Sequence, residues 1–207
     1  MISSKKELQF YIMADRIMSG RRPKSSVKEI LADWIYGNPP ILKYLKVMRN
    51  YSYYEKQTGV CKTLKTRWYT RKYLLLGQRL GFTIDKDVLG YGVCIPHYGT
   101  IIIGSRNRIG NYAVIHTSTC ITEGEKVIGD AFYLSAGAKV VGDIILGDEV
   151  SVSSNSVVNH SYDSHVLLVG SPAIVKRENY QPWYVRDGEK YMNRVKQVEA
   201  LKKEMGL

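Results

Sequence analysis

The chain has 207 residues, 44% of them hydrophobic and 24% charged, with 30 Lys and Arg against 19 Asp and Glu for a formal charge of +11. That length and apolar content suffice for one domain, or one with a small appendage, around a buried core, and exclude a disordered chain. Three scattered cysteines, Cys61, Cys94 and Cys120, form no CxxC pair and point to a reduced cytosolic setting.

The charge is unevenly spread: residues 1–80 carry 17 Lys and Arg against 5 Asp and Glu, and the remainder carries 13 against 14. This skew places a junction near Gly81. Within the basic part, residues 5–18 show Leu8, Ile12, Ala14 and Ile17 with aromatics between, which suits an amphipathic helix, with Ser3 and Ser4 available as caps. A second helix is expected over 27–36, stopped by Gly37-Asn38-Pro39-Pro40. Two more are expected over 41–54 and 62–80, the latter ended by Gly81. No apolar run approaches the roughly 20 residues needed to span a bilayer, and residues 1–30 lack a signal-peptide pattern, so a soluble, cytoplasmic protein is expected.

From Thr83 to Val158 the pattern changes to a beat of six. Written from Ile128 it reads IGDAFY, LSAGAK, VVGDII, LGDEVS, VSSNSV, with an aliphatic residue in each first slot. A helix repeats its apolar residues at three and four and a half-buried strand at two, so a period of six fits neither. It fits a β-solenoid in which each flat face points one aliphatic side chain inward and small residues turn the corners. Two slips in phase, two residues before Ile103 and one before Ile128, mark bulges, with TEGEK around Gly124 the expected loop. After the solenoid, residues 189–205 read as a closing helix, with Glu199 and Lys203 as an i,i+4 pair. The expected organisation is a basic helical domain at 1–81, the solenoid at 82–177 and a C-terminal extension at 178–207.

Three stretches within residues 81–177 resemble the hexapeptide-repeat acyltransferases, and among them the serine acetyltransferase-like branch: PHYGTIIIG from Pro96, SAGAKVVGDI from Ser135 and VGSPA from Val169. The resemblance implies a left-handed parallel β-helix, here of about five coils. It also implies acetyl-CoA as co-substrate, a trimer with clefts between subunits, and the option of pairing into a dimer of trimers.

The same resemblance makes His97 the general base that takes a proton from an acceptor hydroxyl, a task suited to imidazole because its ordinary pKa lies near neutrality. On spacing alone His97 is equally a solvent-facing histidine of a coil. His116 falls one rung above it and one position out of line; it reads either as an acceptor contact or as a polar surface residue. Ala136, Gly137 and Ser154 match the places where the family's pantetheine arm meets the main chain, although small residues there also serve the corners. Lys176 and Arg177 match the region that meets the CoA phosphates. His160 and His165 read as solvated, and the four histidines offer no metal-ligand spacing.

At the two places where serine acetyltransferases carry carboxylates that orient the base, this sequence has Phe82 and Pro96. Asp85 or Asp87 substitutes only if the first rung is offset. The loss of these groups points to a sugar hydroxyl of surface-polysaccharide assembly as acceptor, with serine O-acetylation as the alternative. A rival from another class is a non-catalytic solenoid scaffold whose basic helices hold a membrane or nucleic acid. It rests on Lys62, Lys65, Arg67, Arg71 and Lys72 interleaved with Trp68, Tyr69 and Tyr73. No nucleic-acid fold signature accompanies them, so no nucleic-acid partner is expected, whereas a peripheral membrane contact is compatible with the enzyme.

Overall fold

The computed structural model describes residues 2–36 and 39–207. Four helices come first: α1 (Lys5–Met18), α2 (Val27–Tyr36), α3 (Pro40–Glu55) and α4 (Val60–Leu80). The start of α1 is fixed by a capping box, in which the Ser4 hydroxyl accepts from the Glu7 N–H at 3.0 Å while the Glu7 carboxylate accepts from the Ser4 N–H at 3.2 Å. Of the expected breaker after α2, Gly37 and Asn38 lie outside the described residues, and Pro40 opens α3. Gly81, at φ 78, ends α4 in the left-handed conformation that a side chain would oppose.

Thirteen short strands follow: β1 (Phe82–Ile84), β2 (Ile101–Ile103), β3 (Arg108–Ile109), β4 (Val114–Ile115), β5 (Thr119–Ile121), β6 (Val127–Ile128), β7 (Tyr133–Leu134), β8 (Lys139–Val140), β9 (Ile145–Leu146), β10 (Ser151–Val152), β11 (Val157–Val158), β12 (Leu167–Gly170) and β13 (Ala173–Arg177). They stack in parallel as three faces, β1-β2-β5-β8-β11, β3-β6-β9 and β4-β7-β10-β12, with β13 returning antiparallel on β12. The expected solenoid of about five coils is therefore present. Register aligns Ile84, Ile103, Ile121, Val140 and Val158 in one interior column and Ile115, Leu134, Val152 and Leu168 in another. All nine are at most 3% exposed, and burial of each contributes about 1.5–3 kcal/mol.

The beat departs from the sequence reading in three places. In β1 the inward residues are Phe82 and Ile84, with Thr83 exposed between them, because β1 enters directly from the Gly81 stop and its first side runs five residues from Ile84 to Leu89. The larger bulge lies at residues 96–100, not at TEGEK. Residues 122–126 stay in the stack because the Glu123 carboxylate accepts from the Ser105 and Arg106 N–H groups and Lys126 Nζ donates to the Thr122 carbonyl at 3.0 Å. The last coil is short, so Tyr162 bridges to Leu146 and its hydroxyl donates to the Ala173 carbonyl at 2.5 Å.

The helices seal the first coil. Tyr44, Leu45 and Met48 of α3 and Leu80 of α4 share one apolar cluster with Phe82, Ile84, Val93 and Ile101. Beneath it lies a buried ion pair: Arg49 Nε donates to Asp15 Oδ2 at 3.0 Å, Arg49 Nη1 to the Leu89 carbonyl at 2.7 Å and Nη2 to the Gly90 carbonyl at 2.5 Å, while Asp15 Oδ1 accepts from the Val93 N–H at 3.1 Å. At the other end of the chain, α5 (Trp183–Arg186) and α6 (Glu189–Glu204) fold back. Trp183 is buried against Tyr112, Tyr133 and Tyr191, its Nε1–H donating to the Tyr112 carbonyl at 2.9 Å, and Val198 of α6 joins Phe10, Ala14 and Ile17 of α1.

Candidate active site

One corner of the solenoid gathers the candidate residues. It follows β4, β7 and β10 in successive coils as His116-Thr117-Ser118, Ser135-Ala136-Gly137 and Ser153-Ser154-Asn155. The lowest coil meets it through Pro96-His97-Tyr98-Gly99-Thr100, which has two residues more than the coil above, since Cys94 pairs with Val114 while Ile101 pairs with Thr119. The excess pushes this segment outward: His97 and Tyr98 are exposed, whereas Ile95 beside them is buried. A Cβ on Gly99 would collide with the Thr117 hydroxyl, so glycine is what lets the bulge cross the coil above.

Main-chain bonds carry the register around the corner, with the Gly137 N–H donating to the Thr117 carbonyl at 3.2 Å and the Asn155 N–H to the Ala136 carbonyl at 3.1 Å. Thr117, Ala136 and Ser154 therefore form one column above the corner that His97 opens. At a strand spacing of about 4.8 Å, Ala136 lies roughly 10 Å above that lowest coil. Gly137, at φ 76, has its Cβ position taken by the Asn155 amide, so the corner itself accounts for the glycine.

His116 begins the corner one position before that column, as its spacing implied. It is half-buried, and its Nε2 lies 2.8 Å from the Tyr133 hydroxyl. Burial lowers its pKa, and nearby His97 lowers it further, so the ring is neutral at neutral pH. Burial raises the Tyr133 phenol, which stays protonated. The pair thus joins a neutral imidazole to a hydroxyl. Arg186 lies 4.4 Å from the Tyr133 ring centroid and is ion-paired to Asp187, Nε to Oδ1 at 2.7 Å. The Asp187 carboxylate is also within electrostatic reach of His116. Burial pushes the neighbouring Cys94 thiol up to about 11, so it is a packed thiol and not a thiolate.

Tyr133, Arg186 and Asp187 were not singled out from the sequence. Tyr133 was within reach of it, since the beat places it one coil above Val114; the other two depend on how the C-terminal extension folds back. Asp85 and Asp87 do not serve the histidines. Asp85 Oδ1 accepts from the Asp87 N–H at 3.1 Å, and the Asp87 carboxylate takes the Ser52 hydroxyl at 2.5 Å and Lys56 at 3.6 Å, on the α3 side. Lys176 and Arg177 are exposed at the end of β13, where Arg177 pairs with Leu167 and so stands roughly 10 Å of strand away from Ser154. His160 contacts Asn159 at 2.7 Å and His165 contacts Glu149 at 2.7 Å, both exposed. Among the described residues no three His, Cys, Asp or Glu side chains are grouped to hold a metal ion, and no helix is long and apolar enough to cross a membrane.

No protein-family model matches the chain. A serine acetyltransferase of Staphylococcus xylosus is 34% identical over 98 residues, covering 44% of this chain and 45% of that protein; the chain spans about half the length of the curated relatives it matches. Among solved structures, the serine acetyltransferase of Neisseria gonorrhoeae superposes with a TM-score of 0.62 at 20% identity, covering 86% of this chain and 69% of its own. A serine acetyltransferase in complex with CoA gives 0.52 at 17% identity, covering 81% and 84%. In the sequence of its solenoid, a left-handed parallel β-helix, and in its fold, the chain resembles the serine acetyltransferase-like branch of the hexapeptide-repeat acyltransferases.

Proposed function

We propose that this chain is an acetyl-CoA-dependent O-acetyltransferase with His97 as general base. The observation that carries the reading is the corner itself: an exposed imidazole on a bulge, a second, neutral imidazole beside it, and a column of small residues rising above both. His97 takes the proton of the acceptor hydroxyl as its oxygen attacks the thioester carbonyl. The tetrahedral intermediate then collapses with loss of the CoA thiolate, which takes the proton back from the imidazolium. Thr117, Ala136 and Ser154 leave the main chain open to a pantetheine arm along the column, and His116 with Tyr133 offers polar contacts to the acceptor. Lys176 and Arg177 are assigned to the far, phosphate-bearing end of CoA.

Acetyl-CoA as donor is supported by solved neighbours that hold CoA. For the acceptor, the relatives and neighbours favour L-serine, the serine O-acetylation of cysteine biosynthesis, over the sugar hydroxyl that Phe82 and Pro96 had suggested. Asp187 offers, near His116, a carboxylate that those two positions lack. A trimer, with the open side of the corner covered by a second copy, completes the proposal.

The test is release of free CoA thiol from acetyl-CoA with L-serine and with a panel of sugars. Parent protein is expected to turn over L-serine, and His97→Ala to lose about 10²–10⁴-fold in kcat while still binding CoA. Turnover by His97→Ala at the parental rate refutes the mechanism, and turnover of a sugar in preference to serine refutes the acceptor.

A further inference from the structure

The helical domain contains a cavity that the catalytic reading does not use. It lies between α1, α3 and α4, has a volume of about 320 Å³, and receives five cations: Arg16, Arg21, Lys43, Lys46 and Lys72. Among the described residues two carboxylates are close and both are engaged: Asp15 is held by Arg49 at 3.0 Å, and Glu29 by Arg16 at 2.9 Å. Among the described residues Lys43, Lys46 and Lys72 have no carboxylate partner. Lys72 instead packs its ammonium 3.7 Å from the centroid of the Trp68 ring, which also lines the cavity.

The remaining wall suits an anion attached to a larger group. Pro39, Leu42 and Lys43 place the first turn of α3 on the cavity, and that turn has no side-chain cap. Its N–H groups add to the positive field. Ile12, Val47 and Trp68 supply apolar surface between the cations. Concave placement focuses such a field more strongly than the same charges spread over a convex face, and this volume is that of a small-molecule site. Several lysines converging without counter-charge match a multiply charged anion better than a single carboxylate.

We propose that this cavity binds a phosphate or diphosphate group carried on a larger molecule, at a site separate from the solenoid corner. The probes are inorganic pyrophosphate, titrated by calorimetry, and phosphatidylcholine vesicles containing phosphatidic acid, tested by co-sedimentation. The variants are Lys43→Glu/Lys46→Glu, both exposed and so tolerated by the fold, and Lys62→Glu/Lys65→Glu, on α4 but outside the cavity.

Saturable, salt-sensitive binding of one pyrophosphate is expected, weakened at least tenfold by the first pair and less than threefold by the second. Unaltered binding in His97→Ala separates this site from the catalytic one. Pyrophosphate binding without pelleting supports the site with a soluble ligand. Pelleting that the first pair abolishes supports it with a lipid-borne one. No binding of either probe, or equal weakening by both pairs, overturns the proposal.

Discussion

Replacing Arg49 by Met tests how the helices are fastened to the solenoid. Methionine keeps the apolar stem and strips the guanidinium, so the change removes four donated hydrogen bonds at once: two to Asp15 and one each to the Leu89 and Gly90 carbonyls. Asp15 is 2% exposed and retains the Val93 N–H. Leaving one member of a buried pair behind costs about 3–5 kcal/mol, a large share of the roughly 5–15 kcal/mol that holds a domain together. At about 2–4 °C per kcal/mol for a chain of this size, the melting temperature should fall by roughly 6–20 °C. Burial already pushes the Asp15 carboxyl above its usual range while Arg49 pulls it down, so loss of Arg49 raises it further. A raised carboxyl pKa gives stability that is present at low pH and lost as pH rises through it, so the deficit of the variant should shrink on acidification. The double variant Asp15→Leu/Arg49→Met should recover part of the loss, because an apolar pair needs no compensation, and should stop short of the parent because two carbonyls lack donors. Calorimetric melts between pH 4 and 8 measure all of this. A single variant within about 1 kcal/mol of the parent, or a double variant no better than the single, refutes the reasoning.

Ile121→Ala empties one place in the interior column, and a loss of about 2–5 kcal/mol is expected in urea unfolding. His116, with its pKa held below 6.5 by burial and by His97, contributes stability that is present above 6.5 and lost as pH falls; His116→Asn should flatten the melting temperature between pH 7 and 5, and an unchanged slope counts against it. Trp183→Phe removes the bond to the Tyr112 carbonyl and should cost about 1–2 kcal/mol, read as faster proteolysis beyond residue 183, with an unchanged cleavage rate as the contrary result.

What the sequence disclosed follows the range of the interactions involved. The helix ends were legible because Ser4, Pro40 and Gly81 act on neighbours within four residues. The solenoid was legible because each coil repeats the same demand, an aliphatic residue inside and a small one at the turn. A close approach such as that of Gly129, whose Cβ would stand 2.7 Å from the Asp148 nitrogen, enforces the beat. Phase was harder than period: Thr83 and Ile84 are both β-formers, and only the Gly81 stop decides which points inward. Contacts over long separations left no local mark. Arg49 reads as one cation among many in a basic segment, and nothing around Asp15 announces its partner 34 residues away.

The candidate site shows the same division. The column of Thr117, Ala136 and Ser154 is set by the repeat, while His97 stands on the two-residue excess that interrupts it below. The surroundings of His116 are not set by the repeat: Arg186 and Asp187 reach it only because Trp183 is seated under the Tyr112 carbonyl and α6 is packed on α1. The column of small residues therefore rests on the ladder between coils, while the charge around the second histidine rests on a docked extension. On the proposed reaction, substitutions in the column should then act on donor binding and substitutions that loosen Trp183 on the charge and acceptor contacts at His116, so that the two effects separate between the solenoid and the C-terminal extension.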